Sequence, residues 1–515
     1  LHWESISVSK PFAMKRFFKN PALFVLIVTS CSKNYLDQPF PQDGSLSDNV
    51  IFSTYKGAEA AVVGSYGLLR SESFNSYNGL NNAVTIANKG VKSVVVNFEL
   101  KGNDLYVASS VYAQECSWND NAQQGRAAFG TRTLQIWDMF YRIINNANAA
   151  IANIPQVRDA SPEVKSQLIA EAKAQRAYCY FWLARIYQFS YSRNPDAAAV
   201  PLYTAPAGRD SKGNPRASLR AVYAQIVDDL NEAVSLLPVE RSGKFRINKN
   251  VAHALLAQVY QEMAGNTGGP ELWEKARQHA AAARQGYPLM DNAGYLSGFN
   301  SISSGEWIWG LPVPVEQSLS YMHPIFAYFN PDKGYAKNVS VNASFAACFL
   351  PGDIRRSQIS QSSNTAPWKT RKYVSSAEYA NSSYGGGDIL LIRSAEMILI
   401  EAEALAWMNS IPEAIDLLWS IRGTRVPGLE KNVNLPLSIT KEDLIEQILL
   451  ERRWELYGEI GVEYFDLKRL QKPLIRDGDH PYRLTIPAND KRWLFQIPQA
   501  EIDANPNIEQ ADQNP

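Results

Sequence analysis

A mainly α fold, an array of helical hairpins interrupted by two long irregular segments, is what this sequence predicts. Three observations lead there. Apolar residues recur at alternating spacings of three and four in at least eight stretches. Short connections join several consecutive stretches, so neighbouring helices fold back on one another. Residues 71–133 and 287–388 break the pattern and are rich in Gly, Asn, Ser and aromatics. Irregular segments of that length in a compact protein usually carry function.

The chain opens with a sorting signal. Lys15, Arg16 and Lys19 form a basic stretch, Leu23 to Val28 is apolar, and Val28-Thr29-Ser30-Cys31 resembles a bacterial lipobox. The apolar run is far shorter than the roughly 20 residues of a spanning helix. The expected organisation is therefore Leu1–Ala13 as upstream residues, a lipoprotein signal peptide starting at Met14 and ending at residue 30, and Cys31 as the lipidated N-terminus. A polar tether over 31–50 and a single domain over 51–515 follow.

The first strong stripe is Trp137, Phe140, Ile144, Ala147, Ile151 and Ile154, closed by Pro155. A second helix starts at Ser161-Pro162-Glu163, a cap residue followed by Pro in the first turn. Its face of Ala170, Ala174, Ala177, Phe181 and Ala184 is mostly small, which lets a neighbour approach closely. A third runs from Leu219 to Leu237 between Ser218 and Pro238. Further helices are predicted over about 250–264, 272–285, 390–408, 413–423 and 441–458, with Gly385-Gly386-Gly387 as a tight turn ahead of the helix at 390. No clean 34-residue period repeats.

Lys+Arg and Asp+Glu number 51 each, so no bulk charge draws the chain to nucleic acid. The only cysteines after Cys31 are Cys116, Cys179 and Cys348, too few for a disulfide scaffold. With five His and no metal-ligand spacing, no metal is expected, and no cofactor either. No poised nucleophile or paired carboxylate has a catalytic context, so a binding protein is expected rather than an enzyme.

Several motifs give this reading a family. Trp137, Tyr141, Ile144, Ala147 and Asn148 resemble the W-x3-Y-x2-I-x2-A-N helix of SusD/RagB outer-membrane proteins. Glu171-Ala172-Lys173, Arg176-Ala177 and Tyr180-Phe181 resemble its E-A-K-x2-R-A-x2-Y-F helix. Arg393, Ala395, Glu396 and Ala402-Glu403-Ala404 resemble R-x-A-E-x5-A-E-A. Glu451-Arg452, Glu455-Leu456 and Phe465-Asp466-Leu467 with Arg469 resemble E-R-x2-E-L and F-D-L-x-R. Ile497-Pro498, Glu501-Ile502 and Asn505-Pro506-Asn507 resemble the closing I-P-x2-E-I-x2-N-P-N. In order, these motifs cover most of the chain after the signal. The charged members sit within helices, where pairing between hairpins is the expected role.

The resemblance implies a tetratricopeptide-like scaffold with a loop-rich ligand-binding region, and a SusC-like TonB-dependent outer-membrane transporter as partner. It implies a lipid anchor at Cys31, facing the exterior, although only Asp37 supplies the acidic residue that relatives often carry after the Cys. A sugar site needs aromatic faces ringed by amides and carboxylates. Tyr77 beside Asn75 and Asn78, Trp118 with Asn119 and Asp120, and Trp307, Trp309, Tyr321 and Tyr328 have that composition. Trp118 stands out because its loop precedes the W-x3-Y helix. The expected function is capture of an oligo- or polysaccharide, with a RagB-like oligopeptide-binding lid as the alternative.

Overall fold

A computed structural model describes residues 48–71, 90–107, 124–208, 210–315, 324–329, 339–381, 385–478 and 480–515. The main helices are α1 (Tyr55–Ser71), α2 (Gly90–Glu99), α3 (Thr131–Asn153), α4 (Pro162–Tyr187), α5 (Leu219–Leu236), α6 (Lys249–Ala264), α7 (Pro270–Ala283), α8 (Pro324–Phe329), α9 (Ser394–Trp407), α10 (Ile411–Arg425), α11 (Lys441–Leu456) and α12 (Val462–Arg469). From α3 to α7 each helix packs on the next. Helix α9 then packs on α7 and carries α10 and α11 on its other sides. This is the predicted hairpin array, with a tetratricopeptide-like succession of neighbours.

The local signals work as read. Ser161 caps α4 by accepting from the Val164 N–H at 3.3 Å, and Ser218 caps α5 by accepting from Ala221 at 3.2 Å. Ala170, Ala174, Ala177 and Ala184 are fully buried in the main core, where their size lets α3 and α5 close on either side of α4.

Three predicted boundaries are corrected. Residues 389–393 form a strand, not the start of a helix, so the glycines at 385–387 precede β8 and α9 starts at Ser394. Residues 90–99, expected to be irregular, form α2, in which every residue is buried. Helices α1 and α12 lie where no helix was predicted.

All strands among the described residues are short and pair antiparallel in twos: β1 (Leu105–Val107) with β5 (Val339–Val341), β2 (Ala198–Pro201) with β3 (Arg216–Ser218), β4 (Trp307–Leu311) with β8 (Ile389–Arg393), β6 (Ile359–Ser360) with β7 (Lys369–Thr370), and β9 (Leu474–Arg476) with β10 (Leu484–Ile486).

The charged motif residues knit the helices together. Arg176 on α4 makes a bidentate pair with Asp229 on α5 and donates to Asn148 Oδ1 on α3 at 2.7 Å. Arg469 on α12 joins Glu403 on α9 to Asp466, which also accepts from Arg452 on α11. Deepest of all is Glu455, whose carboxylate accepts from Arg355, Arg393 and Arg425, all with fully buried side chains. Burial alone would raise its pKa. Arg425, Arg393 and Arg355 instead hold it well below the usual carboxylate range.

The last residues are stitched to the first half of the helical array. Phe495 N–H donates to Ile186 O at 3.2 Å and Gln496 N–H to Arg126 O at 2.8 Å. Asn514 Nδ2 donates to both Tyr187 O and Phe495 O at 2.7 Å, and its Oδ1 accepts from Arg216.

Replacing Glu455 with Gln strands three guanidinium groups without their shared charge. Glu455→Gln is expected to lower the unfolding free energy by about 3–5 kcal/mol in urea titration. Asp196→Asn, which breaks a solvent-exposed pair with Arg220, should leave the urea midpoint in place.

Candidate functional site

Several described ends of the irregular segments lie at α2 or at the β1–β5 ribbon. Val107, the last described residue before 108–123, pairs with Val339, the first after 330–338. The segment containing Trp118, Asn119 and Asp120 is therefore rooted on the same ribbon end as the one containing Asn330 and Asp332. At the other end of α2, Gly90 adopts φ +57°, and a Cβ there would lie 2.5 Å from the carbonyl oxygens of both Leu69 and Arg70. Only glycine fits so close to the end of α1. Arg70 in turn donates to Pro312 O at 3.2 Å. The segments holding Tyr77 (72–89) and Tyr321 (316–323) thus start from adjoining ground. Helix α8 packs on α2 between these roots.

Among the predicted site residues, Cys31, Tyr77, Trp118, Asn119, Asp120 and Tyr321 lie outside the described residues. Tyr328 falls on α8, and its side chain is also outside them.

Trp307 and Trp309 are corrections: both side chains are buried, at 1% and 0% exposure. Trp309 donates its indole N–H to Phe245 O at 2.8 Å and packs edge-on against Tyr178 in the main core. Trp307 packs in a second core with Phe299, Phe326 and Trp454. Two register shifts in the β4–β8 pair rotate these residues, two apart in sequence, into different cores. Neither ring is available as a platform for a ligand.

The ribbon carries half-buried aromatics that the sequence reading did not single out. Tyr106, opposite Ser340, meets the edge of His480, and Tyr482 donates its hydroxyl to Val107 O at 2.8 Å. Beside β5, Trp368 accepts the Val341 N–H through its carbonyl, and its ring lies under the Arg356 guanidinium at 4.5 Å. Lys369 donates to Val339 O at 2.9 Å and to Ser340 Oγ at 3.0 Å. Aromatic faces beside hydroxyl, ammonium and guanidinium groups can bind a polar ligand. The only cue in the sequence would have been the pairing of 105–107 with 339–341, which no local pattern reveals.

No group of three or more metal-ligating side chains occurs among the described residues. His253 and His279 face each other on α6 and α7, Nδ1 to Nδ1 at 2.8 Å. Among those residues, no helix is long and apolar enough to cross a membrane.

Comparison with known proteins accords with this architecture. The model of the SusD family matches residues 351–515, and a second family model, described as starch-binding associating with outer membrane, matches residues 65–261. The chain belongs to the SusD/RagB family. SusD-like protein P38 of Formosa agariphila is 26% identical over 379 residues, 65% of this chain and 72% of that one. A SusD-like protein of Bacteroides ovatus is 26% identical over 291 residues, 54% of this chain and 47% of its own length. A crystal structure of a SusD-like carbohydrate binding protein from Bacteroides vulgatus superposes with a TM-score of 0.75 at 26% identity, covering 90% of this chain and 98% of that one. Surface glycan-binding protein A from Bacteroides uniformis, 18% identical, shares the fold with a TM-score of 0.67 over 90% of this chain and 99% of that one.

The family's R-x-A-E motif has a measurable electrostatic consequence. Burial raises the Glu396 carboxyl from 4.5 to about 7, against the opposing pull of Arg452 and a hydrogen bond from Gln258 at 2.7 Å. The folded protein therefore keeps a proton there that the unfolded chain releases near 4.5. Stability from this group is full below pH 4.5 and is lost as pH rises through about 7. In Glu396→Gln the fall of the urea midpoint between pH 4.5 and 7 should be visibly shallower than in the wild type. An unchanged slope would contradict the assignment.

Proposed function

We propose that this SusD/RagB protein is a lipid-anchored, exterior-facing glycan-binding protein of the outer membrane. It captures an oligo- or polysaccharide and passes it to a SusC-like TonB-dependent transporter, with no chemistry on the ligand. The observation that carries the reading is the common rooting of the aromatic- and Asn-rich segments around α2 and the β1–β5 ribbon. Family membership supports it, as does the carbohydrate-binding description borne by the Bacteroides vulgatus relative.

Capture for transport calls for a ligand held firmly enough to collect and loosely enough to release. One or two ring-stacking platforms with several side-chain hydrogen bonds supply that. Trp118 is the proposed central platform, with Asn119, Asp120, Tyr77, Tyr321 and Tyr328 as further contacts. Trp118→Ala should weaken glycan binding by about 30-fold, the equivalent of ~2 kcal/mol for a central aromatic contact. Isothermal titration against a panel of oligosaccharides and of oligopeptides checks this, with circular dichroism confirming an intact scaffold. Binding of peptides and of no glycan would replace this reading with the oligopeptide lid.

The anchor is proposed to be acyl chains on Cys31, each buried CH₂ contributing roughly 0.8 kcal/mol to membrane retention. Cys31→Ala should therefore appear in the soluble fraction or remain unprocessed when expressed without the transporter. Its persistence in the outer-membrane fraction would remove the lipid anchor from the account.

A further inference from the structure

Phe129 is the one exposed aromatic side chain among the described residues, with 85% of its surface open to water. A phenyl ring held in water offers an apolar face to a ligand. The backbone beneath it is fixed. Gly130 N–H donates to Ala127 O at 2.8 Å, closing the turn that precedes α3. Ala128 N–H donates to Gln496 Oε1 at 2.9 Å, and Ala128 O accepts from Gln499 N–H at 3.0 Å. Gln496 N–H reaches back to Arg126 O at 2.8 Å. Four hydrogen bonds therefore hold residues 126–130, three of them to the 496–499 stretch, so the ring is presented on a rigid mount.

The ground beside this turn is polar. Gln499, whose backbone is bonded to Ala128, donates from its side-chain amide to Asp503 Oδ1 at 2.9 Å and to Gln510 Oε1 at 3.1 Å. Asp503 and Gln510 are exposed. The other exposed large apolar residues among those described are Val50, Leu236, Val239, Leu296, Val433, Leu437 and Ile475, none of them in the 124–131 or 496–512 stretches. A protein partner buries a contiguous apolar centre within a polar rim, and that centre is missing from these two stretches. A pyranose ring makes the opposite demand: one flat apolar face for its C–H groups, and amides and carboxylates for its hydroxyls.

We infer that Phe129, with the Gln499–Asp503–Gln510 array on the segment bonded to its turn, is a contact site for one sugar residue of a glycan chain. The inference rests on the glycan-binding reading above and adds to it a rigid platform, separate from the buried Trp307 and Trp309. A single small platform cannot hold a chain alone, so it extends the footprint of a polysaccharide bound elsewhere on the surface.

The test uses affinity electrophoresis of the full-length protein in gels containing soluble starch, xyloglucan, arabinoxylan, galactomannan or polygalacturonate. Phe129→Ala should weaken binding to the retarding polysaccharide by about fivefold, the range of one aromatic contact. Phe129→Trp should retain it, and Gln499→Ala should weaken it to a smaller extent. Because the ring is exposed, the melting temperature of Phe129→Ala should match the wild type. Undiminished retardation of Phe129→Ala by a polysaccharide that retards the wild type overturns the site and leaves the glycan-binding reading standing. Unchanged glycan affinity with loss of transporter co-purification also overturns it and assigns the ring to the partner. A wild type retarded by none of the five polysaccharides, and binding no oligosaccharide in titration, overturns both readings.

Discussion

The largest buried ion network of this molecule is organised around one carboxylate that never meets water. Glu455 gathers Arg355, Arg393 and Arg425, and these lead on to Glu451, Glu459, Glu306 and Asp353, so that cations and anions alternate through the interior. The three arginines come from different parts of the chain, the turn after Asp353, the end of β8 and the end of α10, and Glu455 itself from the last turn of α11. Removing so many charges from water is costly, and only near-complete mutual satisfaction offsets it. The same demand makes the arrangement selective, because a shifted helix would leave a buried charge alone. The apolar cores combine aliphatic and aromatic side chains, and hydrophobic contact alone tolerates many packings. The ion network specifies one of them.

How much of this was legible from the sequence depended on whether an element has two different faces. Helices α3 and α5 stand with one side in the core, and their stripes and capping serines marked them closely. Helix α2 does not: from Gly90 to Glu99 all its residues are buried, including Lys92, Asn97 and Glu99, so no polar face sets off an apolar one. The run Leu390-Leu391-Ile392 reads as helix because a strand buried on both faces has no alternation, and Ile392 falls in step with Ala395 and Leu399. The charged motifs read as structural because they fall within helices, and Arg176–Asp229, Arg452–Asp466 and Arg469–Glu403 do pair between helices.

The residues proposed to face a ligand are less legible, and the reason is the chemistry of aromatic side chains. Trp and Tyr fill cores and bind sugars with the same faces, so composition alone cannot separate the two uses. Trp307 and Trp309 sit in a Gly- and Ser-rich neighbourhood that reads as surface, yet a pair of bulges turns both inward. Phe129 lies between Ala128 and Gly130 with no periodicity to mark it, and only the fold exposes it. The ribbon aromatics Tyr106, Trp368 and Tyr482 gather through pairings hundreds of residues apart.

The stitching of Phe495, Gln496 and Asn514 onto Arg126, Ile186 and Tyr187 has a bearing on how the molecule comes into being. A chain made from its N-terminus exposes the last turn of α4 and the rings of Phe98 and Trp182 long before residues 493–514 exist to cover them. Contacts separated by more than three hundred residues close late, because loop closure precedes the gain they bring. The helical hairpins can form one after another during synthesis, but the finished interior waits for the final segment.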